Sequence, residues 1–352
     1  MGTLQHVQDM ERARLSLGEP SLNFLGYSYG AWTGAFYAAT YPEHAGRMVL
    51  DSPGNFTGSF EDQLDDQSHD FQTLFTQRAL LPAVADPDYG IDADTALQRL
   101  REMPYQVRKA WAWAIGTPAE LVAALAMSDW FRAEPHVDLN HWVRRIVQHR
   151  FHAKEEVNDT IRDAALGLAY ITRESTELAA GINPYVYYGL VCGDTPWRKH
   201  LDSLRSMAMS HAVLYPAAAS DHINTGAVCH HWRSSARWRP PLTELAKAPP
   251  LLIIQAEFDP VASLRSTNNA FVASPGAFMI VAEGMYGHGV FGMSHTYCVE
   301  RGVGVYFLRG EVPYARFSKC EFRAQTPSRI HGASQPGISE VRARLKEILR
   351  RS

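Results

Sequence analysis

No apolar run in this chain of 352 residues is long enough to cross a bilayer, so a helical membrane span is excluded and a soluble protein is expected. Neither sign of charge dominates: 34 Lys and Arg stand against 37 Asp and Glu, a formal net charge of −3. A balance that close offers no electrostatic footprint for nucleic acid or for an anionic membrane surface, so neither is expected as a partner. Cysteine is scarce. Cys192, Cys229, Cys298 and Cys320 are scattered without C-x-x-C spacing, which argues against a zinc site and leaves buried thiols or two disulfides. The first residues show no basic segment leading into an apolar stretch, so no secretory signal is read there. No internal repeat is present, and no residue pattern asks for a metal or an organic cofactor.

What the chain does have is apolar material, 46% of its residues, enough for one large core. A single α/β domain with an inserted subdomain and a two-domain chain both suit this length. Gln8 to Leu17 carries apolar residues at helical spacing and stops at Gly18. Leu22 to Leu25 reads as a buried strand, Trp32 to Tyr41 as a helix of small and aromatic residues, and Met48 to Leu50 as a second strand. Helix, strand, helix, strand is the order of a parallel sheet with crossover helices.

Between the first strand and its helix lies Gly26-Tyr27-Ser28-Tyr29-Gly30. This matches G-x-S-x-G, the nucleophile elbow, in which flanking glycines let strand and helix pack closely while a strained turn pushes the serine hydroxyl outward. A serine hydroxyl is a poor nucleophile at neutral pH, so it needs a base, and the base needs an acid to hold its tautomer. In this arrangement the order is Ser, then Asp or Glu, then His, each at the C-terminal end of a strand. Asp259 follows the proline-bounded strand "PPLLIIQAEFDPVAS", and His288 follows a second strand in "AFMIVAEGMYGHGVF", expected to end at Gly284. Asp-Pro after a strand is also ordinary turn chemistry, and the chain has 15 histidines. His295 is a rival to His288, whereas His222, His230 and His231 lie in a helical region. Order and placement together favour Ser28, Asp259 and His288.

From about Asn55 to Arg239 aromatic and charged residues recur at helical spacing without strand alternation, which reads as a helical cap inserted into the sheet or as a separate helical domain. Glu174 and Glu177 in "ITRESTELAAG" are carboxylates of that region, more often a solvated helix face than a substrate site. The boundaries expected are 1–60 and 236–322 for the two parts of the core and 61–235 for the cap. Residues 323–352 read as a linker and a basic tail helix, "SEVRARLKEILRRS".

The segments "LNFLGYSYGAWTGAFYAATYP", "RMVLDSPGN", "VYYGLVCGDTPW", "PPLLIIQAEFDPV", "GMYGHGVF" and "CVERGVGVYFLRGEVP" together resemble the tripeptidyl-aminopeptidase-like branch of the α/β-hydrolases, secreted serine exopeptidases related to prolyl aminopeptidases. The resemblance covers about residues 5 to 320. It implies an α/β-hydrolase sheet with a large helical cap, Ser28 as nucleophile, His288 as base and Asp259 as its orienting acid. It further implies Tyr29 N–H as an oxyanion-hole donor, and disulfides Cys192–Cys229 and Cys298–Cys320.

The chain departs from that pattern in three places. It opens in the helix feeding the nucleophile strand, without the first strands and the glycine-rich loop that supplies a second oxyanion donor. The "FDPVAS" segment differs around its aspartate, and an early cap cysteine pair is missing. The expectation is therefore a serine hydrolase acting on peptide N-termini, with a small-metabolite esterase or amidase, or a catalytically impaired remnant, as alternatives. A peptide or small acyl compound is the expected substrate, with a partner polypeptide supplying the missing strands as a further expectation. Cysteine pairing and family habit point to a secreted or cell-envelope location.

Overall fold

The computed structural model describes residues 2–85, 90–118, 120–122, 124–125, 139–150, 158–174, 184–195, 197, 200–218, 221–232, 239–293 and 296–322, without the side chains of 170–174, 184, 221 and 222. Among these, five strands form one sheet in the order β1 (Leu22–Tyr27), β2 (Ala45–Asp51), β3 (Leu252–Phe258), β4 (Phe278–Tyr286) and β5 (Phe317–Glu321). Every pairing is parallel, as the α/β expectation requires. Parallel strands need crossovers on the sheet faces, so both faces are buried and the strands read as apolar runs.

Strand alternation divides the core. Met48, Leu50, Ile253, Met279 and Val281 point to one face, where they meet α1 (Thr3–Leu17), α2 (Tyr29–Thr40) and α12 (Leu264–Val272). Val49, Leu252, Ile254, Ile280 and Ala282 point to the other, against Val299, Val303 and Tyr306 of α13 (Tyr297–Arg309). The first helix starts earlier than expected because Gln5 Oε1 accepts from Gly2 N–H at 2.8 Å, holding the opening turn. It stops at Gly18, whose φ of 69° is left-handed backbone that glycine adopts without strain.

The strand expected to end at Gly284 runs on to Tyr286. Gly284 has φ 78°, and the register with β3 shifts between Ala256 and Phe258, so the strand passes an irregularity and continues. β5 escapes periodicity altogether: it has five residues, of which Cys320 alone is buried.

Packing divides the chain into two compact units. The sheet unit comprises Met1–Asp70, Ile182–Met207 and Asp221–Ala324, and thus includes α9 (Pro184–Asp194) and α11 (Asp221–His230) from the stretch read as cap. The second unit comprises Phe71–Gly181 and Ala208–Ser220, together with residues 325–352, which lie outside the described residues. No strand occurs in it among the described residues. Its helices include α5 (Ala93–Arg101), α6 (Tyr105–Ile115), α7 (Leu139–Val147) and α8 (Asp159–Glu174). Trp111 is central there, meeting Phe75 edge-on with ring centroids 5.6 Å apart and donating Nε1–H to Ala217 O at 3.0 Å. A Cβ at Gly167 would lie 2.2 Å from the Trp142 ring, so α7 and α8 approach closely through a glycine. No helix among the described residues is long and apolar enough to cross a membrane.

Candidate active site

The elbow is present where the motif predicts it. β1 ends at Tyr27, α2 begins at Tyr29, and Ser28 between them holds φ 55° and ψ −123°, a strained backbone for a residue with a Cβ. The two motif glycines are not equivalent. A Cβ on Gly26 would lie 2.4 Å from Gly30 C, so Gly26 permits the tight turn, whereas a Cβ on Gly30 would meet nothing within 4 Å. Close strand-to-helix packing is secured instead by Gly34, where a Cβ would lie 2.9 Å from the Phe24 ring.

Asp259 and His288 come together as the chain order predicts. His288 Nδ1 lies 2.9 Å from Asp259 Oδ2, and the Asp259 side chain is fully buried. The other carboxylate oxygen, Oδ1, accepts Val261 N–H and Ala262 N–H, each at 2.9 Å. One carboxylate oxygen thus holds the turn and the other faces the imidazole. For His288, burial by itself disfavours the imidazolium, but the facing Asp259 carboxylate and the nearby Asp51 outweigh it, so the pKa is raised above the ordinary 6.5. Such a histidine holds a proton more firmly than a free imidazole.

The serine and the histidine are joined through backbone. Ser28 N–H donates to Asp51 O at 2.9 Å, and the residues after His288 donate to the side chains of Asp51 and Ser52. Tyr27 OH donates to Phe291 O at 2.8 Å, closing a second tie between elbow and histidine loop. Among the described residues the Ser28 hydroxyl makes no hydrogen bond to His288. Contacts of that kind are often long without substrate and tighten in the complex.

Tyr29 opens α2, so its N–H is one of the first-turn amides that an α-helix leaves without an intrahelical acceptor, at the positive end of the helix dipole. Its phenol is engaged elsewhere: it meets Thr3 Oγ1 at 2.8 Å and His6 Nδ1 at 3.2 Å, and burial raises its pKa. Thr3 N–H in turn donates to Asp194 Oδ1 at 2.8 Å.

Of the other residues singled out, Cys192–Cys229 is a disulfide joining α9 to α11, and Cys298–Cys320 is one joining α13 to β5, which leaves no free thiol among the described residues. His230 and His231 stand at the end of α11 with ring centroids 4.9 Å apart. His295 and Glu177, and the side chains of His222 and Glu174, lie outside the described residues.

The residues that sequence reasoning missed are Asp51 and Ser52. Both are completely buried at the C-terminal end of β2, and burial of the Asp51 carboxyl pushes its pKa up to about 6 against the hydrogen bonds from Phe291, Val290 and Ser52. A polar pair closing an apolar strand in "RMVLDSPGN" was the available signal.

The chain is similar to known proteins over most of its length. Residues 215–320 match the family described as TAP-like protein. The chain is 25% identical over 323 residues to the tripeptidyl aminopeptidases of Streptomyces lividans and Streptomyces coelicolor, covering 88% of this chain and 56% of each relative. A shorter stretch of 51 residues is 39% identical to the serine protease Hip1 of Mycobacterium tuberculosis, covering 14% of this chain and 10% of that protein. This chain thus spans a little over half the length of the aminopeptidases it matches. Together with the all-parallel sheet and the elbow between β1 and α2, the TAP-like match over residues 215–320 and the similarity to the aminopeptidases support a TAP-like α/β-hydrolase family for this chain.

Proposed function

We propose that this chain is a serine hydrolase that cleaves peptides near their N-terminal ends through an acyl-enzyme on Ser28. The observation that carries the reading is the bond from buried Asp259 to His288, in a loop fastened to the same Asp51–Ser52 pair that holds the Ser28 amide. His288 Nε2 takes the Ser28 proton as Oγ adds to the scissile carbonyl carbon. Asp259 stabilises the imidazolium that results. The negative charge developing on the carbonyl oxygen faces the Tyr29 N–H at the start of α2. Collapse breaks the C–N bond, His288 protonates the departing amine, and water activated by the same imidazole releases the acyl group and restores Ser28.

The choice of a peptide over another acyl compound rests on the relatives, two of which are named tripeptidyl aminopeptidases. An extracytoplasmic location is inferred from the two disulfides, which persist in oxidising compartments. In the described sheet β1 has one neighbour, β2, so its other edge is where a further strand would pair, and a partner polypeptide there is part of the proposal.

The test is labelling of the chain by a fluorophosphonate probe beside a Ser28→Ala control, followed by turnover of tripeptide-leaving substrates with free and with blocked N-termini. Ser28-dependent labelling and turnover only of free N-termini are expected. Labelling that survives Ser28→Ala overturns the nucleophile, and equal turnover of blocked peptides or preference for simple esters overturns the exopeptidase reading.

A further inference from the structure

Ser28 and His288 are 260 positions apart, and their alignment rests on two consecutive residues, Asp51 and Ser52. Asp51 O accepts Ser28 N–H at 2.9 Å, and Ser52 N–H donates to Ile254 O of β3 at 2.8 Å. From the same two residues, side chains reach across to the histidine loop. Ser52 Oγ accepts Gly289 N–H at 3.0 Å, Asp51 Oδ1 and Oδ2 both lie 3.1 Å from Val290 N, and Oδ2 accepts Phe291 N–H at 2.8 Å. Ser52 Oγ–H closes the set by donating to Asp51 Oδ1 at 3.0 Å.

Three features set this arrangement apart from ordinary loop packing. Both residues have no exposed surface, and a buried carboxylate costs desolvation that an apolar side chain would not. Its hydrogen-bond donors are the amides of the two residues next but one and next but two after His288, so bond directions, not bulk, set the loop's place. Ser52 is held at φ 52°, left-handed backbone that a residue with a Cβ adopts only under constraint, and that conformation accompanies a hydroxyl turned to Gly289.

We propose that Asp51 and Ser52 form a bracket that sets the distance and orientation between the Ser28 elbow and the His288 imidazole, with Asp51 as a positioning residue and not a catalytic one. The inference rests on the Ser28–His288 reading above. It predicts that loosening the bracket slows the attack of Ser28 while leaving ground-state substrate binding nearly untouched, because the bracket faces the protein's own backbone.

The experiment compares wild type, Asp51→Asn and Ser52→Gly by two readouts: amide hydrogen exchange over residues 289–291, and the rate of fluorophosphonate labelling with KM and kcat for any peptide turned over. Asn keeps the shape but offers one acceptor in place of two, and Gly keeps the carboxylate while relieving the φ strain and deleting the Gly289 acceptor. Loop exchange about 10- to 100-fold faster in Asp51→Asn and about 10-fold faster in Ser52→Gly is expected. Labelling and kcat are expected to fall by similar factors at nearly constant KM. Exchange at the wild-type rate in both variants overturns the bracket whatever the activity does, and so does slowed labelling without faster loop exchange. Should Asp51→Asn fail to fold by circular dichroism, Ser52→Gly decides by the same criteria. A wild-type chain whose Ser28 is not labelled overturns the hydrolase reading instead, and the exchange data then judge the bracket alone.

Discussion

His288 Nδ1 stands 2.9 Å from Asp259 Oδ2, and the opposite oxygen of the same carboxylate holds the turn formed by Val261 and Ala262. One buried group thus fixes its own backbone and the imidazole at once. In Asp259→Asn the amide oxygen is expected to stay on the turn, leaving its NH2 facing the imidazole and favouring the wrong tautomer. Ser28 labelling is expected to fall by about 10³- to 10⁴-fold with the fold retained. Labelling kinetics with circular dichroism check this, and a loss below tenfold would remove Asp259 from the triad.

The raised pKa of His288 sets the direction of the pH profile. In the proposed mechanism neutral imidazole is the form that accepts the Ser28 proton, so reactivity should climb with pH through a value above the ordinary imidazole 6.5. The labelling rate measured from pH 5 to 9 gives that midpoint, and one below 6.5 would mean that burial outweighs the carboxylates. The same group favours folding below 6.5, and that contribution fades as pH rises through its folded value.

Asp51 makes an opposite pair of statements about activity and stability. Its folded pKa of about 6 lies above the ordinary 3.8, so the folded state holds its proton more tightly, and folding loses stability as pH rises from about 4 through about 6. Neutral Asn does not titrate. The stability of Asp51→Asn relative to wild type should therefore improve by roughly 3 kcal/mol across that window, even as labelling slows. Urea midpoints at pH 4 and pH 8 measure the difference; His288, whose imidazolium Asp51 favours, loses that support in Asp51→Asn and shifts the relative stability in the same direction. A relative stability that is flat with pH would place the carboxyl's pKa at its ordinary value.

A latch holds α1 on α2. Glu11 pairs with Arg14 at 2.6 Å and His44 at 2.9 Å and accepts Tyr37 O–H at 2.8 Å. The Arg14 bond chiefly, against burial, holds its carboxyl down to about 2. The stabilisation is present above 4.5 and lost as pH falls toward 2. Glu11→Gln is expected to cost about 1–3 kcal/mol at pH 7, with the gap to wild type closing in acid. Denaturant titrations at pH 7 and pH 3 test it; an equal gap at both would show that packing, not charge, is at stake.

Cys298–Cys320 ties the start of α13 to the edge strand β5 across 22 residues of sequence. Closing a loop of that size stabilises by roughly 3 kcal/mol in the chain-entropy picture. The Cys298→Ser, Cys320→Ser double variant should lower the urea midpoint of the sheet unit accordingly, and a change under about 0.5 kcal/mol would leave the bridge without a stabilising role.

How far the sequence reaches can be followed residue by residue. Leu22 to Leu25, the Gly26 turn and the small-residue helix after it are local patterns, and they appear in the fold with boundaries shifted by three residues at most. β5 was not legible, because five residues with one buried position carry no periodic signal. Nor was the division of the helical region: α9 and α11 have the same helical texture as α5 to α8, yet they belong to the sheet unit, bridged by Cys192–Cys229.

The sequence by itself determined the strand-elbow-helix at Ser28 and the Asp259-then-His288 order at strand ends, because backbone sterics and apolar periodicity act over a few neighbouring residues. Only the tertiary structure decided that Gly34, not Gly30, lets strand and helix close up, and that Asp51 and Ser52 carry the histidine loop. A hydrogen bond from Val290 N–H to Asp51 spans 239 residues of chain and exists only once β2 and the loop after β4 lie side by side. No local propensity encodes such a bond; it is a property of where the sheet brings two strand ends together.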